Sequence, residues 1–479
     1  MGGRQDKGLQ EVSVRALDVA RLESLIGPER MARFEAAAEA SQATLAGRMV
    51  LNVSSTATGG GVAEMLQNLL AYVRGAGIDA RWVVIEGDRQ FFTITKRIHN
   101  GLYGSPGDGG ELGEAEQRRY DSVIRRNREQ VLSHVRPGDL VLIHDPQPVG
   151  LLEAVKQVGA RALWRCHVGS DRPNEWTGRA WEFLRPYLQE ADGYVVSRQG
   201  FAPPWANGHA THVISPSIDP FSAKNEPMSH RNIEMTLRYV GLLNGDRTPP
   251  GVPFTRRDGS PGFIRNRVDV VQSGPSADVG APLVVQASRW DRMKDMAGVM
   301  EGFARHVDRA LGAHLVLAGP AVTGVADDPE AREVYDECVE RWRRLPDEAR
   351  ARVHLACIPM NDPDENAAIV NALQRHASVV VQKSLAEGFG LTVTEAMWKS
   401  RPIVASAVGG ISDQIAHGEQ GLLIDNPDDL AAFGAAVERL LRDPVTAARL
   451  GAKARERALT SFLGDRHLDQ YGRLVATLW

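Results

Sequence analysis

The stretch from Lys383 to Ala396, KSLAEGFGLTVTEA, restricts the possible folds of this chain more than any other. It follows SVVVQ, a continuous β-branched run typical of a strand that is buried on both faces. Gly388 and Gly390 then predict a tight turn, and the residues from Leu391 onward predict a helix. Such a unit places backbone N–H groups at the carboxyl end of a parallel strand, where open α/β sheets bind anionic ligands.

Two carboxylates lie in this stretch, Glu387 in the turn and Glu395 in the first turns of the helix. A second glycine turn, Gly409-Gly410, follows the run PIVAS and is expected to lie beside the first. Taken alone, the two acids also fit a surface turn and a helix-favouring glutamate, because short motifs are weak evidence of function.

A pair of cations follows another predicted strand of the C-terminal half. LVVQASRWDRMKDMAGVMEGF predicts a strand, a polar turn and a helix, with Arg289 and Lys294 in the turn. An arginine fork and a lysine point charge suit a diphosphate. Solvation at a helix start is the alternative, but the helix dipole disfavours cations there. HLVLAGP, RVHLACIPM and SVVVQ complete a second parallel sheet.

The N-terminal half opens with a strand that runs into a glycine turn and a helix. The triplet Gly59, Gly60 and Gly61 precedes Val62, and the next predicted strand ends in an acid. This resembles a dinucleotide site, but Glu64 occupies the third glycine position of that pattern. A nicotinamide cofactor is therefore not expected. The glycines instead predict a loop that approaches a phosphate or a sugar.

The segment GDRQFFTITKRIHNGLYG combines aromatic rings with hydrogen-bonding groups. Phe91, Thr95, Lys96, His99 and Asn100 are side chains of the kind that bind sugars. The same composition fits an ordinary helix packed by its apolar stripe, and composition alone favours that structural interpretation. Both interpretations stay open at this point.

Polar clusters end two further strands of the N-terminal half, DLVLIHDPQP and ALWRCHVGSD. They contain His144 and Asp145 in the first case, and His167 and Asp171 in the second. Strands that alternate with helices predict a doubly wound parallel sheet, and the carboxyl ends of its strands meet at one edge. A single histidine at a strand end is usually structural, but two clusters at the same edge point to one cleft.

Bulk properties exclude several classes of protein. The chain has 479 residues, which is too many for one core and predicts two domains. A net charge of −4 with interspersed signs indicates neither nucleic acid nor membrane as a partner. Three cysteines without metal-ligand spacing, and no apolar signal or membrane span, predict a cytoplasmic protein. Residues 230–282, rich in Gly, Pro and Arg, predict a long irregular segment with solvated arginines.

The motifs resemble a known family. EGFGLTVTEA followed by PIVASAVGGISDQI and GLLI resembles the donor-site signature of retaining GT-B glycosyltransferases. The longer string KSLAEGFGLTVTEAMWKSRP, with GD-x-x-FF and HN upstream, is similar to the trehalose glycosyl-transferring synthases and to the related retaining trehalose phosphorylases. The resemblance implies an α/β GT-B fold, in which two Rossmann-like doubly wound domains face a deep cleft. Residues 1–235 would bind the acceptor, with helix 458–479 packing back on them, and residues 236–457 would bind the nucleotide-sugar donor.

The resemblance also assigns roles to residues. Glu387 would contact the donor sugar, Glu395 the ribose, and the Arg289/Lys294 pair the phosphates. The implied catalytic residues are His167, Asp171, Arg289, Lys294 and Glu387. The implied donor-binding residues are Gly60, Gly61, Arg289, Lys294, Ile358, Met360, Glu387, Gly388, Phe389, Gly390, Leu391 and Glu395. The implied acceptor-binding residues are Gly61, Val62, Glu64, Phe91, Thr95, Lys96, His99, Asn100 and Asp145.

The implied reaction moves glucose from a nucleoside diphosphate glucose (ADP- or UDP-glucose) to free glucose and forms α,α-trehalose. No cofactor or metal is expected, because no Asp-x-Asp motif closes a strand. The expected partners are a nucleotide sugar and glucose or trehalose, with a homodimer left open. A trehalose phosphorylase is the nearest alternative. A nucleotide-sugar epimerase or hydrolase and a non-catalytic sugar-nucleotide sensor are the others.

Overall fold

The computed structural model describes residues 9–58, 60–206, 210–246, 251–322 and 330–479. Gly59 of the predicted glycine turn, the first residues of the chain and residues 247–250 of the irregular segment lie outside this part. The described chain forms two units. One contains the residues up to Ser217 together with Gly464–Trp479, and the other contains the residues from Ile218 to Leu463.

The first unit is built on a sheet of seven strands in the part of the chain that the structure describes. The strands are β1 (Gln10–Glu11), β2 (Val50–Ser54), β3 (Ala80–Val84), β4 (Leu140–His144), β5 (Arg161–Cys166), β6 (Gly193–Val196) and β7 (Ala210–Val213). Their order is β1-β3-β2-β4-β5-β6-β7, and only the edge strand β1 pairs antiparallel, with β3. Runs such as LVLIH are buried throughout because helices cover both faces of the sheet.

Helices pack on both faces of this first sheet. They are α1 (Glu23–Thr44), α2 (Gly61–Gly75), α3 (Arg89–Leu102), α4 (Glu114–Leu132), α5 (Leu152–Gln157) and α6 (Glu175–Leu188). Helices α3 to α6 share one apolar core with the sheet, whereas α2 packs on the other face. The unit is therefore doubly wound, as the alternation of strands and helices predicted.

The second unit begins with a helix and a hairpin that the sequence did not predict. Helix α7 (His230–Val240) starts at the N-cap Ser229 and ends at the left-handed Gly241. Strands β8 (Pro253–Thr255) and β9 (Pro261–Phe263) then form an antiparallel hairpin. The prediction of an irregular segment over residues 230–282 is therefore wrong at α7 and at the short strands, and it is confirmed for the described residues between them. Three-residue strands are too short to show a period in sequence.

A second seven-stranded sheet follows, again counted over the described residues. Its strands are β10 (Asp269–Val271), β11 (Leu283–Ala287), β12 (His314–Pro320), β13 (Val353–Ile358), β14 (Val379–Gln382), β15 (Ile403–Ser406) and β16 (Leu422–Ile424). Their order is β10-β13-β12-β11-β14-β15-β16, with β10 antiparallel at the edge. As in the first sheet, an antiparallel strand forms one edge, but two strands rather than one lie between that edge and the first parallel strand, β11.

Helices also cover both faces of the second sheet. They are α8 (Met296–His306), α9 (Ala331–Arg343), α10 (Asp347–Arg350), α11 (Pro363–His376), α12 (Leu391–Trp398), α13 (Ile411–Gln414), α14 (Leu430–Arg442) and α15 (Pro444–Ser461). Two apolar cores result, one with α8, α9 and α14 and the other with α7, α11 and α12. Both units therefore have the Rossmann-like architecture that was predicted. In the described part of the chain, no helix is long and apolar enough to cross a membrane.

The unit boundaries differ from the predicted ones. The first unit ends at Ser217 rather than at residue 235, because Ile233, Leu237 and Val240 of α7 pack in the core of the second unit. The chain returns to the first unit at Gly464 rather than at residue 458, because α15 still belongs to the second unit up to Ser461.

The returning segment forms helix α16 (Gly464–Ala476), which packs against α1 and the first sheet. Asp465 in its first turn is almost fully buried and forms a two-point ion pair with Arg30 of α1, with Arg30 Nη2 2.8 Å from Asp465 Oδ1. Two residues further along the helix, His467 Nδ1 lies 2.9 Å from Ser217 Oγ. These polar contacts attach the end of the chain to the first unit.

Loss of this ion pair is expected to loosen α16. Arg30→Met should lower the free energy of unfolding of the first unit by roughly 2–3 kcal/mol, because Asp465 would remain buried without its cation. Arg33→Met is the matched control, since Arg33 lies on the same helix in an exposed pair with Glu29. It should cost no more than about 0.5 kcal/mol. Calorimetric unfolding of both variants measures the difference, and equal transition temperatures would contradict the assignment.

Candidate active site

Both sheets reverse their strand order beside the first strand of their parallel set. The reversal falls between β2 and β4 in the first sheet and between β11 and β14 in the second. In open α/β sheets, ligands bind outside the carboxyl ends of the strands at this point. The polar residues that follow these four strands are therefore the candidates for function.

In the second unit, this position brings Lys294 and Glu387 together. Lys294 ends a short 3₁₀ turn after β11, and Glu387 lies in the glycine turn after β14. Lys294 Nζ lies 2.6 Å from each carboxylate oxygen of Glu387, and both side chains are largely buried. Ser384 Oγ also donates a hydrogen bond to Glu387, at 3.1 Å. The two residues come from segments far apart in sequence, which meet because β11 and β14 pair in parallel.

Gln286, at the end of β11, holds the two turns in place. Its side-chain amide donates to the carbonyl of Lys294 at 2.7 Å and accepts from the backbone N–H of Lys383 at 3.2 Å. The fully buried ammonium of Lys383 in turn bonds Asp295 and the carbonyl of Pro427. Sequence reasoning missed these supporting residues. A lysine directly after a buried strand, as in VVVQK, was the available signal, because such a charge requires a partner.

The two glycine turns lie side by side, as predicted. Gly410 N–H donates to the carbonyl of Gly388 at 3.2 Å. Gly409 has a φ of +50°, and a Cβ on it would lie only 1.6 Å from the carbonyl oxygen of Glu387. The first turn ends at Gly390, which has a φ of +89° and precedes Leu391, the first residue of α12. Phe389, between Gly388 and Gly390, is buried, and its backbone carbonyl accepts a hydrogen bond from the side-chain amide of Gln414.

The other predicted donor residues lie around this pair. Arg289 is partly exposed and contacts Asp291, whose carboxylate caps the 3₁₀ turn. Glu395 is almost fully buried on α12, and its Oε1 lies 3.4 Å from Lys224 Nζ. A ribose bound as predicted would therefore share the Glu395 carboxylate with Lys224, which was not among the predicted site residues.

The predicted base-binding segment is tied to the unpredicted hairpin. Ile358 ends β13 and is buried, whereas Met360 is half-buried. Asp362 caps α11 and forms a two-point ion pair with Arg256, at 2.9 and 2.5 Å. Arg257 pairs with Asp364 on the same helix, at 2.7 Å. The arginines of residues 230–282 were expected to be solvated, and Arg257 is indeed exposed, whereas Arg256 is half-buried. Both are held in ion pairs because the hairpin packs at the acidic N-terminus of α11.

In the first unit, the histidines of the two strand-end clusters are in contact. His144 Nδ1 lies 3.2 Å from His167 Nε2, and the rings stack with centroids 5.5 Å apart. Asp145 has a φ of +64°, and its carboxylate accepts the backbone N–H of His167 at 2.9 Å. Asp171, in contrast, is partly exposed and forms an ion pair with Arg198.

Burial sets the protonation of this cluster. It lowers the pKa of His144 to about 3, and the Arg165 guanidinium nearby lowers it as well. The pKa of His167 also lies well below its usual value, mainly because of burial and secondly because of the Arg165 guanidinium. Burial raises the pKa of Asp145 to about 7, against the opposing effects of the His167 N–H and Arg165, although the residue keeps part of its surface exposed. Both imidazoles are therefore neutral at neutral pH.

Helix α2 begins at the glycine turn, next to β2. Gly60 is its N-cap, Gly61 is exposed, and Val62 and Glu64 are half-buried in its first turn. The backbone N–H of Glu64 already bonds the carbonyl of Gly60, at 3.1 Å. The N–H groups before it are those that a ligand at this helix start would use.

The predicted sugar-binding stretch forms helix α3, and part of it faces the core. The ring of Phe91 is fully buried and stacks on Tyr120, with centroids 5.6 Å apart. Thr95 is also buried, and its hydroxyl donates to the carbonyl of Phe92. The prediction that Phe91 offers apolar surface to a sugar therefore has to be corrected, since the apolar stripe of α3 fills the core. Asn100 is buried as well, whereas Lys96 and His99 remain half-exposed.

The residues described do not group as a metal site, since they contain no cluster of three or more His, Cys, Asp or Glu side chains that could hold an ion. The sequence Asp362-Pro363-Asp364 opens α11, and both of its carboxylates are paired with the hairpin arginines.

The contact between the glycine turns is testable by adding one methyl group. Gly409→Ala should lower the free energy of unfolding by several kcal/mol and disturb the position of Glu387, because backbone cannot yield as a side chain does. Gly418→Ala is the control, since Gly418 also has a positive φ but no atom within 4 Å of the added Cβ. It should cost only about 1 kcal/mol. Equal thermal stability of the two variants would contradict the role given to this contact.

Comparison with known proteins agrees with this geometry. Residues 52–203 match the family described as "Trehalose synthase, N-terminal domain", and residues 274–457 match "Glycosyl transferases group 1". The trehalose synthase of Pyrococcus horikoshii is 34% identical over 458 residues, which cover 95% of each chain. The trehalose phosphorylase of Pleurotus pulmonarius is 25% identical over 80% of this chain and 50% of its own length.

A solved structure of an α,α-trehalose 6-phosphate synthase from Burkholderia multivorans superimposes with a TM-score of 0.65, covering 90% of this chain and 98% of the other at 15% identity. The similarity in structure confirms the predicted GT-B fold, and the similarity in sequence confirms the predicted resemblance. The family matches cover most of both units, and the chain belongs to the trehalose synthase family.

Proposed function

We propose that the chain transfers glucose from a nucleoside diphosphate glucose to the anomeric hydroxyl of free glucose, and so forms α,α-trehalose with retention of configuration. The observation that carries the proposal is the contact between Lys294 and Glu387 at the strand reversal of the second sheet. A cation for the leaving diphosphate and an acceptor for sugar hydroxyls are held together there, in a chain of this family.

The charge that develops on the leaving group explains the cations. As the bond from glucose to the diphosphate breaks, negative charge grows on the phosphate oxygens, and cations placed beforehand stabilise the transition state. Lys294 is held in place by Glu387, Gln286 and its own turn, so that little reorganisation is needed. Arg289, which is partly exposed at the start of the same turn, supplies a second contact.

The glucose being transferred has its own partners in this proposal. Glu387 accepts hydrogen bonds from the sugar hydroxyls, and Ser384 and Lys294 fix its carboxylate for that purpose. Glu395 on α12 takes the ribose of the nucleotide, and Ile358 and Met360 lie where the base would bind. The leaving phosphate itself takes the proton of the acceptor hydroxyl on the same face, which requires no covalent nucleophile from the protein.

The acceptor glucose is assigned to the first unit. Asp145 and His167 at the strand ends, and Lys96 and His99 on α3, offer hydrogen-bonding groups to a small polyol. Asp171 is held by Arg198 beside this edge. The buried ring of Phe91 packs α3 against the core of the first unit and does not contact the sugar in this proposal.

Turnover with labelled nucleoside diphosphate glucose and unlabelled glucose tests the proposal. A non-reducing disaccharide carrying one labelled ring is the expected product, and activity should persist in excess chelator. Formation of glucose 1-phosphate from trehalose and inorganic phosphate, without nucleotide, would favour the second candidate, a trehalose phosphorylase, which the Pleurotus relative supports. Release of an altered or free sugar without any acceptor would indicate an epimerase or a hydrolase, and binding without turnover would indicate a sensor.

The two carboxylates are expected to separate binding from transfer. Glu395→Gln should weaken the binding of the free nucleoside diphosphate, because it removes a ribose contact. Glu387→Gln should not weaken that binding, because the neutral amide no longer competes with the diphosphate for Lys294. It should slow transfer on the order of a hundredfold, because the ligand proposed for Glu387 is the reacting sugar. Calorimetric titration with the diphosphate, together with turnover rates, measures both effects. The two variants are matched controls for each other, and equal losses of affinity would show that the roles are assigned wrongly.

The acceptor is expected to be free glucose rather than glucose 6-phosphate. Two arginines near α3 and the strand ends are already engaged: Arg97 pairs with Asp108 at 2.7 Å, and Arg198 pairs with Asp171. Lys96 is then the cation that the proposal assigns to the acceptor, and one lysine without an arginine fork compensates the burial of a phosphate only in part. We therefore expect kcat/KM to favour glucose on the order of a hundredfold or more. Steady-state kinetics with both acceptors measures the ratio. A preference for the 6-phosphate would place the enzyme with the trehalose-phosphate-forming class instead.

A further inference from the structure

Three side chains at the strand reversal of the first sheet form a continuous hydrogen-bonded series, which we call the Asn52–His144–His167 relay. Asn52 lies in β2, His144 ends β4, and His167 follows β5. Asn52 Oδ1 lies 3.0 Å from His144 Nε2, and His144 Nδ1 lies 3.2 Å from His167 Nε2. All three residues are buried, and Asn52 was not among the predicted site residues.

The orientation of the Asn52 amide is set by the neighbouring strand. Its Nδ2 lies 3.4 Å from the backbone carbonyl oxygen of Arg81 in β3. A flipped amide would place two oxygens against each other at that distance, so the nitrogen faces the carbonyl and the oxygen faces His144. Asn52 therefore acts only as an acceptor towards the imidazole.

The rest of the relay follows from proton counting. A neutral imidazole has one donor nitrogen and one acceptor nitrogen. Since Asn52 accepts, His144 Nε2 carries the proton and His144 Nδ1 is the acceptor. His167 Nε2 must then donate to it, which leaves His167 Nδ1 without a proton. The series of contacts thus selects one tautomer of His167 from two.

Both imidazoles are neutral, so that each has one proton, as the selection of a single tautomer requires. The charged and titratable groups around the relay include Arg165 and Cys166 in β5, Asp145 after β4 and His467 in α16. Burial raises the pKa of the Cys166 thiol, so that it stays uncharged. Burial and the Arg165 guanidinium both lower the pKa of each histidine of the pair. The carboxylate of Asp145 is engaged with the backbone N–H of His167 rather than with its ring.

We propose that Asn52 and His144 are positioning residues, which hold His167 with a bare Nδ1 so that it accepts a hydrogen bond from a hydroxyl group of the bound sugar. This inference rests on the proposed function, since it assumes a sugar at this edge of the sheet. The relay makes the site selective for a ligand atom that donates. A ligand atom that can only accept, such as a phosphate oxygen, meets the lone pair of Nδ1 and is repelled.

The first test measures the tautomers directly and does not depend on activity. In the 15N-labelled full-length protein, the imidazole nitrogen shifts of His144 and His167 should both report protonated Nε2 and bare Nδ1. The signals are assigned by their loss in His144→Phe and His167→Phe. A protonated Nδ1 on His167 in the wild-type protein would overturn the inference.

The second test reverses the relay with one isosteric substitution. In Asn52→Asp, the new carboxylate accepts from His144 at high pH as the amide did. At lower pH the pair formed by the new carboxylate and His144 takes up one more proton. The result for His144 Nδ1 is the same whether the carboxyl group or the imidazole holds that proton. His144 Nδ1 then donates, His167 Nε2 becomes the acceptor, and His167 Nδ1 becomes protonated. The substitution therefore turns a fixed tautomer into one that depends on pH.

The readout is the ratio of kcat/KM for the acceptor between Asn52→Asp and the wild type, because ionisations common to both proteins cancel. The ratio should be close to one near pH 9 and should fall roughly tenfold or more towards pH 6. The imidazole shifts of the variant, followed over the same range, should change at the same pH, which separates the relay from titration of Asp145. Circular dichroism checks that the variant is folded.

The second unit provides a matched control. His314 and His354 form a similar stacked pair, with His314 Nδ1 2.9 Å from His354 Nε2, near the amino ends of β12 and β13. His354→Phe should leave the pH profile of kcat/KM unchanged. A pH-independent ratio for Asn52→Asp, in an active enzyme, would overturn the positioning role. An inactive wild-type enzyme would instead contradict the proposed function, while the tautomer measurement would still test the relay.

Discussion

The ion pair between Lys294 and Glu387 is the interaction on which the second unit is organised. Two charges that are largely removed from water cost more free energy than their attraction returns unless both are held in good geometry. The surrounding structure supplies that geometry. Gln286 bonds the turn that carries Lys294 and the backbone next to β14, Ser384 bonds the carboxylate, and the second glycine turn packs against the backbone of Glu387.

This arrangement explains why the loops around the site contain residues that a surface loop does not need. Gly409 is required because no Cβ fits against the Glu387 carbonyl oxygen. Lys383 is required to have a partner because it is fully buried, and Asp295 with the Pro427 carbonyl provides it. A ligand with a diphosphate and sugar hydroxyls would bind Lys294 and Glu387 in place of their contact with each other. The surrounding residues would not have to move.

Both units have a doubly wound sheet with a strand reversal, but they place different chemistry at that point. The second unit places a cation and a carboxylate there. The first unit places neutral imidazoles, an amide and a carboxyl group of raised pKa there, because burial and Arg165 disfavour positive charge on the histidines. The function proposed above, with a charged leaving group on the second unit and an uncharged sugar on the first, is consistent with this division. The proposal thus rests on the residues at the strand ends and not on the fold type.

The amino-acid sequence by itself determined the two Rossmann-like units, the paired glycine turns and the membership of the family, because buried parallel strands and glycine turns leave continuous local patterns. It also identified Lys294, Glu387, His144 and His167 as residues that follow strands. Only the tertiary structure decided which of these meet, since strand order brings β11 beside β14 and β2 beside β4. Tertiary packing likewise decided that Phe91 belongs to the core, that the hairpin arginines pair with α11, and that Asn52 bonds His144. Contacts between residues so distant in sequence depend on the register of strands and on burial, neither of which has a local signal.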